Sequence, residues 1–141
     1  MNRTLWPACL LALFTGHAAA ATSAEFTVVG ARSDQGVLRA MLCAPGERFP
    51  NGCKLAQAVP AKAQGSSFVF KDLPNGRYAF AVFHDEDNNG RLGLSSISNS
   101  TEAIGFSNNA NGPGGVPLFN IAAVDVQGPV KHVVKLRTMR R

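Results

Sequence analysis

The chain contains an acidic segment, FHDEDNNGRLG, whose side chains could bind a metal ion. Asp85, Asp87 and Asn89 lie on alternate residues, and Gly90 follows them directly. This order matches the D-x-[DN]-x-[DN]-G start of a calcium loop, in which alternate oxygen ligands converge and the glycine allows a sharp turn. The spacing therefore predicts a calcium site, to which Arg91 would add its backbone carbonyl oxygen.

The calcium pattern is incomplete at its end. A full loop ends in a bidentate Glu, but this chain has Ser96 at that position and Gly93 three residues earlier. Glu102 is the next acidic side chain, so we expect it to supply the missing carboxylate. Calcium takes about six to eight oxygens, and this set leaves several of them to water, which predicts weak binding. The alternative interpretation is an Asn-Gly turn with solvated acids.

Residues 1–20 have the pattern of a secretory signal peptide. Arg3 precedes an apolar run, and Ala18-x-Ala20 offers a cleavage site. The run has about half the length that a membrane span needs, and no other run in the sequence is long enough. We therefore expect a secreted or periplasmic protein that begins near Ala21 and has no membrane span.

Two cysteines, Cys43 and Cys53, remain after the predicted leader is removed. In an oxidising compartment such a pair favours a disulfide, and closing a loop of about ten residues contributes about 2.5 to 3 kcal/mol in the chain-entropy model. A redox pair or a thiolate metal site would need a CxxC spacing or added histidines. We predict a structural disulfide.

Period-two alternation dominates the rest of the chain, and a helical period is almost absent. Seven segments fit strands, at residues 24–32, 36–43, 54–61, 66–73, 77–85, 122–127 and 130–137. Turn residues at 33–36, 73–76 and 127–129 are of the kind that joins hairpins. We predict an all-β fold, namely one antiparallel β-sandwich domain of immunoglobulin-like or prealbumin-like order over residues 21–141.

Strand 77–85 is predicted to be central because both of its faces are apolar. Tyr78, Phe80 and His84 alternate onto one face, whereas the opposite face begins with Ala79. Residues 86–120, in contrast, contain no convincing strand. Loops of this length in compact domains are functional or disordered, and the apolar side chains of this one favour a long ordered loop that is docked on the sandwich.

Neither catalysis nor nucleic-acid binding is favoured by the residue types. The chain has no G-x-S-x-G elbow and no His-x-x-x-His pair. His84 and His132 fall in apolar register, where a structural histidine is commoner than a ligand. The formal net charge is +5, but the basic residues of the tail alternate with apolar ones as on the solvated face of a strand, and no aromatic residues accompany them.

Two longer stretches, GRYAFAVFHDEDNNGRLG and EAIGFSNNANGPGGVPLFNIAAVDV, resemble the secreted bacterial domain-of-unknown-function family 2141. That family has a G-x-Y-A-hydrophobic strand, an H-D-x-N-x-N-G-x-x-D loop, an E-x-x-G-F-S-N-N element and a P-x-F-x-x-A strand start. By this resemblance its signature positions fall on His84, Asp85, Asn89, Gly90, Glu102, Gly105, Phe106, Ser107, Asn108 and Asn109.

The chain departs from the family pattern twice. Gly93 replaces the usual Asp, which removes a metal ligand, and SSISNST replaces Gly-Ile-Pro before Glu102. The loop is also similar, more remotely, to those of calcium-bound B-repeats in bacterial surface adhesins, which are small β-sandwiches. The family implies a location and a fold, but no established activity.

We therefore predict a non-catalytic, secreted β-sandwich module that presents residues 86–120 to a protein, a glycan or a small ligand, with calcium stiffening that loop. The expected metal ligands are Asp85, Asp87, Asn89, Arg91 and Glu102. The expected binding positions are His84, Gly105, Phe106, Ser107, Asn108 and Asn109. The alternative is a structural envelope or periplasmic domain without metal or a discrete ligand.

Overall fold

The structure is a computed structural model that describes Gly16, residues 22–91 and residues 102–138. Apart from Gly16, the predicted signal peptide lies outside the described residues. The strands are β1 Thr22–Val29, β2 Val37–Cys43, β3 Leu55–Pro60, β4 Ser66–Leu73, β5 Gly76–Asp85, β6 Ala103–Phe106, β7 Val124–Val126, β8 Val130–Lys135 and β9 Arg137–Thr138. One short helix, α1, spans Phe119–Ala122, and two 3-10 turns span Ser107–Asn109 and Pro113–Gly115. Within these ranges no helix has the length and apolar character that crossing a membrane requires.

The strands form two sheets, which confirms the all-β prediction. The first sheet has the order β4-β1-β8, and the second has the order β3-β2-β5-β6-β9, with β7 pairing the start of β5. The immunoglobulin-like or prealbumin-like order stays a prediction. Apart from β2–β3 and β5–β6, the paired strands are not consecutive in sequence, so the fold depends largely on long-range pairing.

Two features of the predicted antiparallel arrangement are wrong. Strand β8 runs parallel to β1, and none of the turns at 33–36, 73–76 and 127–129 closes a hairpin. They join β1 to β2, β4 to β5 and β7 to β8, and in each case the two strands belong to different sheets. Each turn therefore carries the chain from one sheet to the other, and the last of them has Gly128 at a positive φ of 138°.

The core lies between the sheets and consists largely of phenylalanine rings. The rings of Phe26 and Phe80 stack with their centroids 4.2 Å apart, and Phe68 and Phe70 also contact Phe80. Both Phe26 and Phe80 are completely buried. The predicted alternation of β5 is confirmed, because its core-facing residues Tyr78 to His84 are buried.

Strand β5 is central, as predicted. It pairs with β2 along one edge, and with β6 and β7 along the other. Its outer face carries a second apolar cluster that includes Ala79, Ile104, Phe106 and Ala122. The segment after β6 folds across part of this face, so β5 is buried on its core face and partly covered on its outer face.

The prediction that residues 86–120 lack a strand is wrong for Ala103–Phe106. This strand, β6, has four residues, all of them buried. Burial on both faces removes the alternation by which a strand is recognised in a sequence, and Gly105 has low strand propensity. A side chain at Gly105 would lie 2.9 Å from Val134 Cγ1 and 3.1 Å from the Lys135 carbonyl oxygen, so glycine is required by close approach.

The predicted disulfide between Cys43 and Cys53 is present. It closes the loop that follows β2, and Phe49 in this loop packs its ring against Phe106 and Phe119. The disulfide loop therefore covers part of the second apolar cluster.

We predict that Phe80→Ala will lower the free energy of unfolding by about 3 to 5 kcal/mol, because it leaves a cavity at the centre of the core. Phe83→Ala is the matched control, since Phe83 lies on the same strand but faces outward and is only partly buried. Phe83→Ala should lower the free energy of unfolding by clearly less than Phe80→Ala does. Urea denaturation of both variants measures the difference, and equal losses would contradict the central role of Phe80.

Candidate functional site

Strand β5 ends at Asp85, around which the following turn curls. The side chain of Asp85 is fully buried. Its Oδ1 accepts a hydrogen bond from the backbone N–H of Asn89 at 3.0 Å, and its Oδ2 accepts one from Gly90 at 2.9 Å. Asn88 and Gly90 have positive φ angles of 54° and 76°, which Asn and Gly adopt most readily. The predicted sharp turn is thus built around the first carboxylate.

Arg39, on the neighbouring strand β2, contacts the same carboxylate. Its Nε donates to Asp85 Oδ2 at 2.6 Å, and its Nη2 donates to Asn88 Oδ1 at 2.7 Å. Burial by itself would raise the pKa of Asp85, but the hydrogen bonds from Arg39, Gly90 and Asn89 outweigh it and hold that pKa below its ordinary value. Asp85 is therefore kept ionised in a buried position.

Glu102 is brought to the same place by the pairing of β6 with β5. Phe83 is paired with Ile104, and extending this antiparallel register by two residues places Glu102 opposite Asp85. Oxygen atoms of Asp85, Asp87 and Glu102 all lie within 4.8 Å of one another. Burial raises the pKa of Glu102, and the negative charges of Asp85, Asp87 and Glu86 raise it further.

The other predicted metal ligands lie close to this cluster. Asn89 donates from its Nδ2 to Asp87 Oδ2 at 3.0 Å, and its Oδ1 accepts the backbone N–H of Arg91 at 2.8 Å. The turn thus places Asp87, Asn89 and Arg91 in one hydrogen-bonded unit beside Asp85. Gly93 and Ser96, which break the calcium pattern, lie outside the described residues.

His84 lies on the core face of β5 and is completely buried. Its Nε2 lies 2.7 Å from the carbonyl oxygen of Gln35, so Nε2 carries the proton and donates. Within the described chain Nδ1 has no hydrogen-bond partner. Glu86 is partly buried and pairs with Arg32 at 3.0 Å. These contacts favour the structural interpretation of His84.

The predicted binding positions from Gly105 to Ser107 are buried. Ser107 accepts a hydrogen bond from the backbone N–H of Phe80 at 2.9 Å and donates to the carbonyl oxygen of Ala122. It therefore links β5 to the helix α1. Phe106 belongs to the second apolar cluster. A binding role for these positions stays a prediction.

Asn108 and Asn109 are exposed, but their side chains bond to the backbone. Asn108 donates to the carbonyl oxygen of Ala123 at 3.0 Å, and Asn109 accepts the backbone N–H of Lys135 at 2.9 Å. Both residues have positive φ angles. The G-F-S-N-N element thus fastens residues 107–123 to β5 and β8, and its binding role stays a prediction.

Sequence reasoning missed Arg39 as a member of the site. Alternation places it on the outer face of β2, opposite Leu38 and Ala40, but it does not give the register between β2 and β5. A single arginine on a strand that otherwise contains only apolar residues was the available signal. Only the pairing of Arg39 with Phe83 brings it within reach of Asp85.

Residues 26–134 match the model of a family described as "Uncharacterized protein conserved in bacteria (DUF2141)". The match covers most of the chain and includes both motif-bearing stretches. No curated protein and no solved structure matches. The remoter similarity to calcium-bound B-repeats therefore stays a prediction.

We predict that Asp85→Asn will lower the free energy of unfolding by about 2 to 3 kcal/mol at neutral pH, because Arg39 loses its charged partner. The folded pKa of Asp85 is depressed, so its stabilisation is complete above the ordinary carboxyl pKa and is lost as pH falls through the folded pKa. The difference in the free energy of unfolding between wild type and Asp85→Asn should therefore become smaller as the pH falls.

Asp87→Asn is the matched control for this prediction, because Asp87 is exposed. With a chelator present it should change stability by no more than about 0.5 kcal/mol. Urea denaturation from pH 7 down to about pH 2 measures both variants. A loss for Asp85→Asn that stays constant over this range would show that the charge of Asp85 is not what stabilises the turn.

Proposed function

The chain belongs to this bacterial family, and we propose that it is a non-catalytic, extracytoplasmic binding module in which calcium stabilises the loop after β5. The observation that carries the proposal is the convergence of Asp85, Asp87 and Glu102.

The charges of this cluster support a divalent cation. Three carboxylates meet there, and Arg39 pairs with Asp85. Burial, and then the charges of Asp85 and Asp87, raise the pKa of Glu102, so its ionised form is unfavourable at this place. A hard cation such as calcium takes carboxylate and amide oxygens, so Asp85, Asp87 and Glu102 would hold it together with Asn89 and water.

An ion at this position would act on the loop through its two ends. Asp85 is the last residue of β5, and Glu102 directly precedes β6. A shared ion would therefore join the two strands across the intervening residues 86–101. Such an ion supplies charge neutralisation and a cross-link, and needs no catalytic group.

An extracytoplasmic location is supported by the disulfide and by the leader-like sequence. Disulfides persist in oxidising compartments, and Cys43 and Cys53 are bonded. A non-catalytic role is supported by the burial of His84 and by the use of Ser107 in backbone hydrogen bonds. Neither side chain is placed to act as a nucleophile or a base toward a bound molecule.

The alternative is that the acidic turn is complete without metal and that the domain is structural. What supports it is the number of bonds that the turn already makes: Asp85 accepts from Arg39 and from two backbone amides. A calcium titration separates the two proposals, because only the first requires an ion.

Calorimetric titration of the metal-stripped protein tests the calcium proposal. We expect saturable heat with a dissociation constant of about 0.1 to 1 mM and a rise in the thermal midpoint with calcium. Asp87→Asn combined with Glu102→Gln should abolish both, because it removes two carboxylates and leaves the Asp85–Arg39 pair intact.

The matched control for that titration is Glu25→Gln combined with Asp125→Asn. It removes two charges as well, but on β1 and β7, where the carboxylates pair with Lys131 and Arg77. This variant should bind calcium as wild type does. If wild type gives no heat and no thermal shift, the calcium proposal fails and the structural alternative is favoured.

We also predict that Glu102→Gln will raise the thermal midpoint of the metal-free protein at pH 7. The folded pKa of Glu102 is raised, so its ionised form costs stability above that pKa, and the cost disappears as pH falls below the ordinary carboxyl pKa. The gain should therefore vanish near pH 4. Glu25→Gln serves as control, and a lower midpoint for Glu102→Gln at pH 7 would contradict the prediction.

A further inference from the structure

A cavity of about 690 Å³ opens on the outer face of the second sheet, beside the acidic turn. Its floor consists of side chains that point away from the core, among them Met41, Ala58, Ala81 and Phe83. Pro50 of the disulfide loop lines one side. This volume lies within the range of about 300 to 1,000 Å³ that is typical of small-molecule sites.

The strand register explains why this face is concave. Ala58 pairs with Arg39, and Arg39 pairs with Phe83, so these residues form one row across the sheet. The next row contains Ala56, Met41, Ala81 and Phe106. The alanines leave space between larger neighbours. The disulfide loop and the segment after β6 cover other parts of the same face but leave this groove between them.

The charge of the groove has one sign. Among the described residues that line it, two are arginines, Arg39 and Arg91, and none is acidic. Arg39 is fixed by its hydrogen bonds to Asp85 and Asn88, so its orientation is set before a ligand arrives. Arg91 is exposed beside Gly90, whose Cβ position lies 3.9 Å from Arg39 Nη2. The two guanidinium groups therefore come from adjoining parts of the wall.

We propose that this groove binds a small amphiphile with an apolar body and an anionic headgroup. The alanine, methionine and phenylalanine side chains would contact the body, and Arg91 would pair with a carboxylate, sulfonate or phosphate, with Arg39 fixed next to it. Guanidinium groups match such anions in charge and geometry. The inference rests on the proposed binding role, but it does not require calcium.

The test uses the fluorescent probe 1-anilinonaphthalene-8-sulfonate and its displacement by monomeric decanoate. We expect the probe to bind the folded protein with one-site saturation and decanoate to displace it. Decanol, which has the same chain without the charge, should be about tenfold weaker or worse, because it cannot make the charge-assisted hydrogen bond. Equal displacement by decanol would overturn the anionic part of the proposal.

Two variants locate the site. Ala58→Trp fills the floor, and Arg91→Glu reverses the charge at the mouth; each should weaken decanoate about tenfold or more. Lys71→Glu is the matched control for charge, because Lys71 is exposed on β4 in the other sheet, and it should bind as wild type does. Circular dichroism verifies folding. If both folded groove variants keep wild-type affinity, the groove is not the site.

Two further arms separate this proposal from its alternatives. Repeating the displacement with Asp87→Asn combined with Glu102→Gln, in chelator, tests the groove without calcium binding. If decanoate still displaces the probe from this variant, the groove proposal is supported even where the calcium titration is negative. If displacement is lost, the groove is not independent of calcium.

The last experiment is sedimentation with anionic phosphatidylglycerol vesicles. If the protein binds the vesicles but decanoate does not displace the probe, the result favours contact with a membrane surface over a small-molecule site and overturns the proposal.

Discussion

The constraint on which this structure depends is that β5 is paired along both edges, buried on its core face and partly covered on its outer face. Its core face carries Phe80, around which the rings of both sheets gather. Its outer face is covered by the segment that follows β6, which Ser107 fastens to the backbone of Phe80. Because a buried strand cannot shift by one residue without exchanging its two faces, β5 fixes the register of both β2 and β6.

That register decides what happens where β5 ends. Asp85 is the last residue of β5 and lies on the outer face of the strand, but its side chain is fully buried. An unpaired carboxylate at such a position would be costly. The fold satisfies it with Arg39 from β2 and with two amides of its own turn. Glu102 comes from the residue before β6 to the same place, and burial together with the charges of Asp85, Asp87 and Glu86 raises its pKa. The fold thus pairs Asp85 with Arg39 and brings two further carboxylates close to it.

The alternation of apolar residues was sufficient to predict the all-β class, the core face of β5 and its central position, because period two survives wherever one face differs from the other. It failed at β6, whose four residues are all buried. The hairpin prediction failed at the turns 33–36, 73–76 and 127–129, since a local sequence does not say which sheet the next strand joins. The same limit applies to the site. Asp85, Asp87 and Asn89 could be grouped from their spacing, but Arg39 joins them only through strand pairing, which is not local.

The proposed ion and the proposed groove share one structural basis, namely the short pairing of β5 with β6. Only three residue pairs, from Ala81–Phe106 to Phe83–Ile104, join the two strands in the described register, and all of these residues except Gly105 line the groove. A strand of four residues contributes few ladder hydrogen bonds, so its position depends on what holds its ends. At one end, Ser107 and Asn109 bond to β5 and β8. At the other end stands Glu102, and an ion shared with Asp85 would fix that end as well. Calcium would then act on the groove without touching a ligand, by keeping Ile104 and Phe106 in place beneath it.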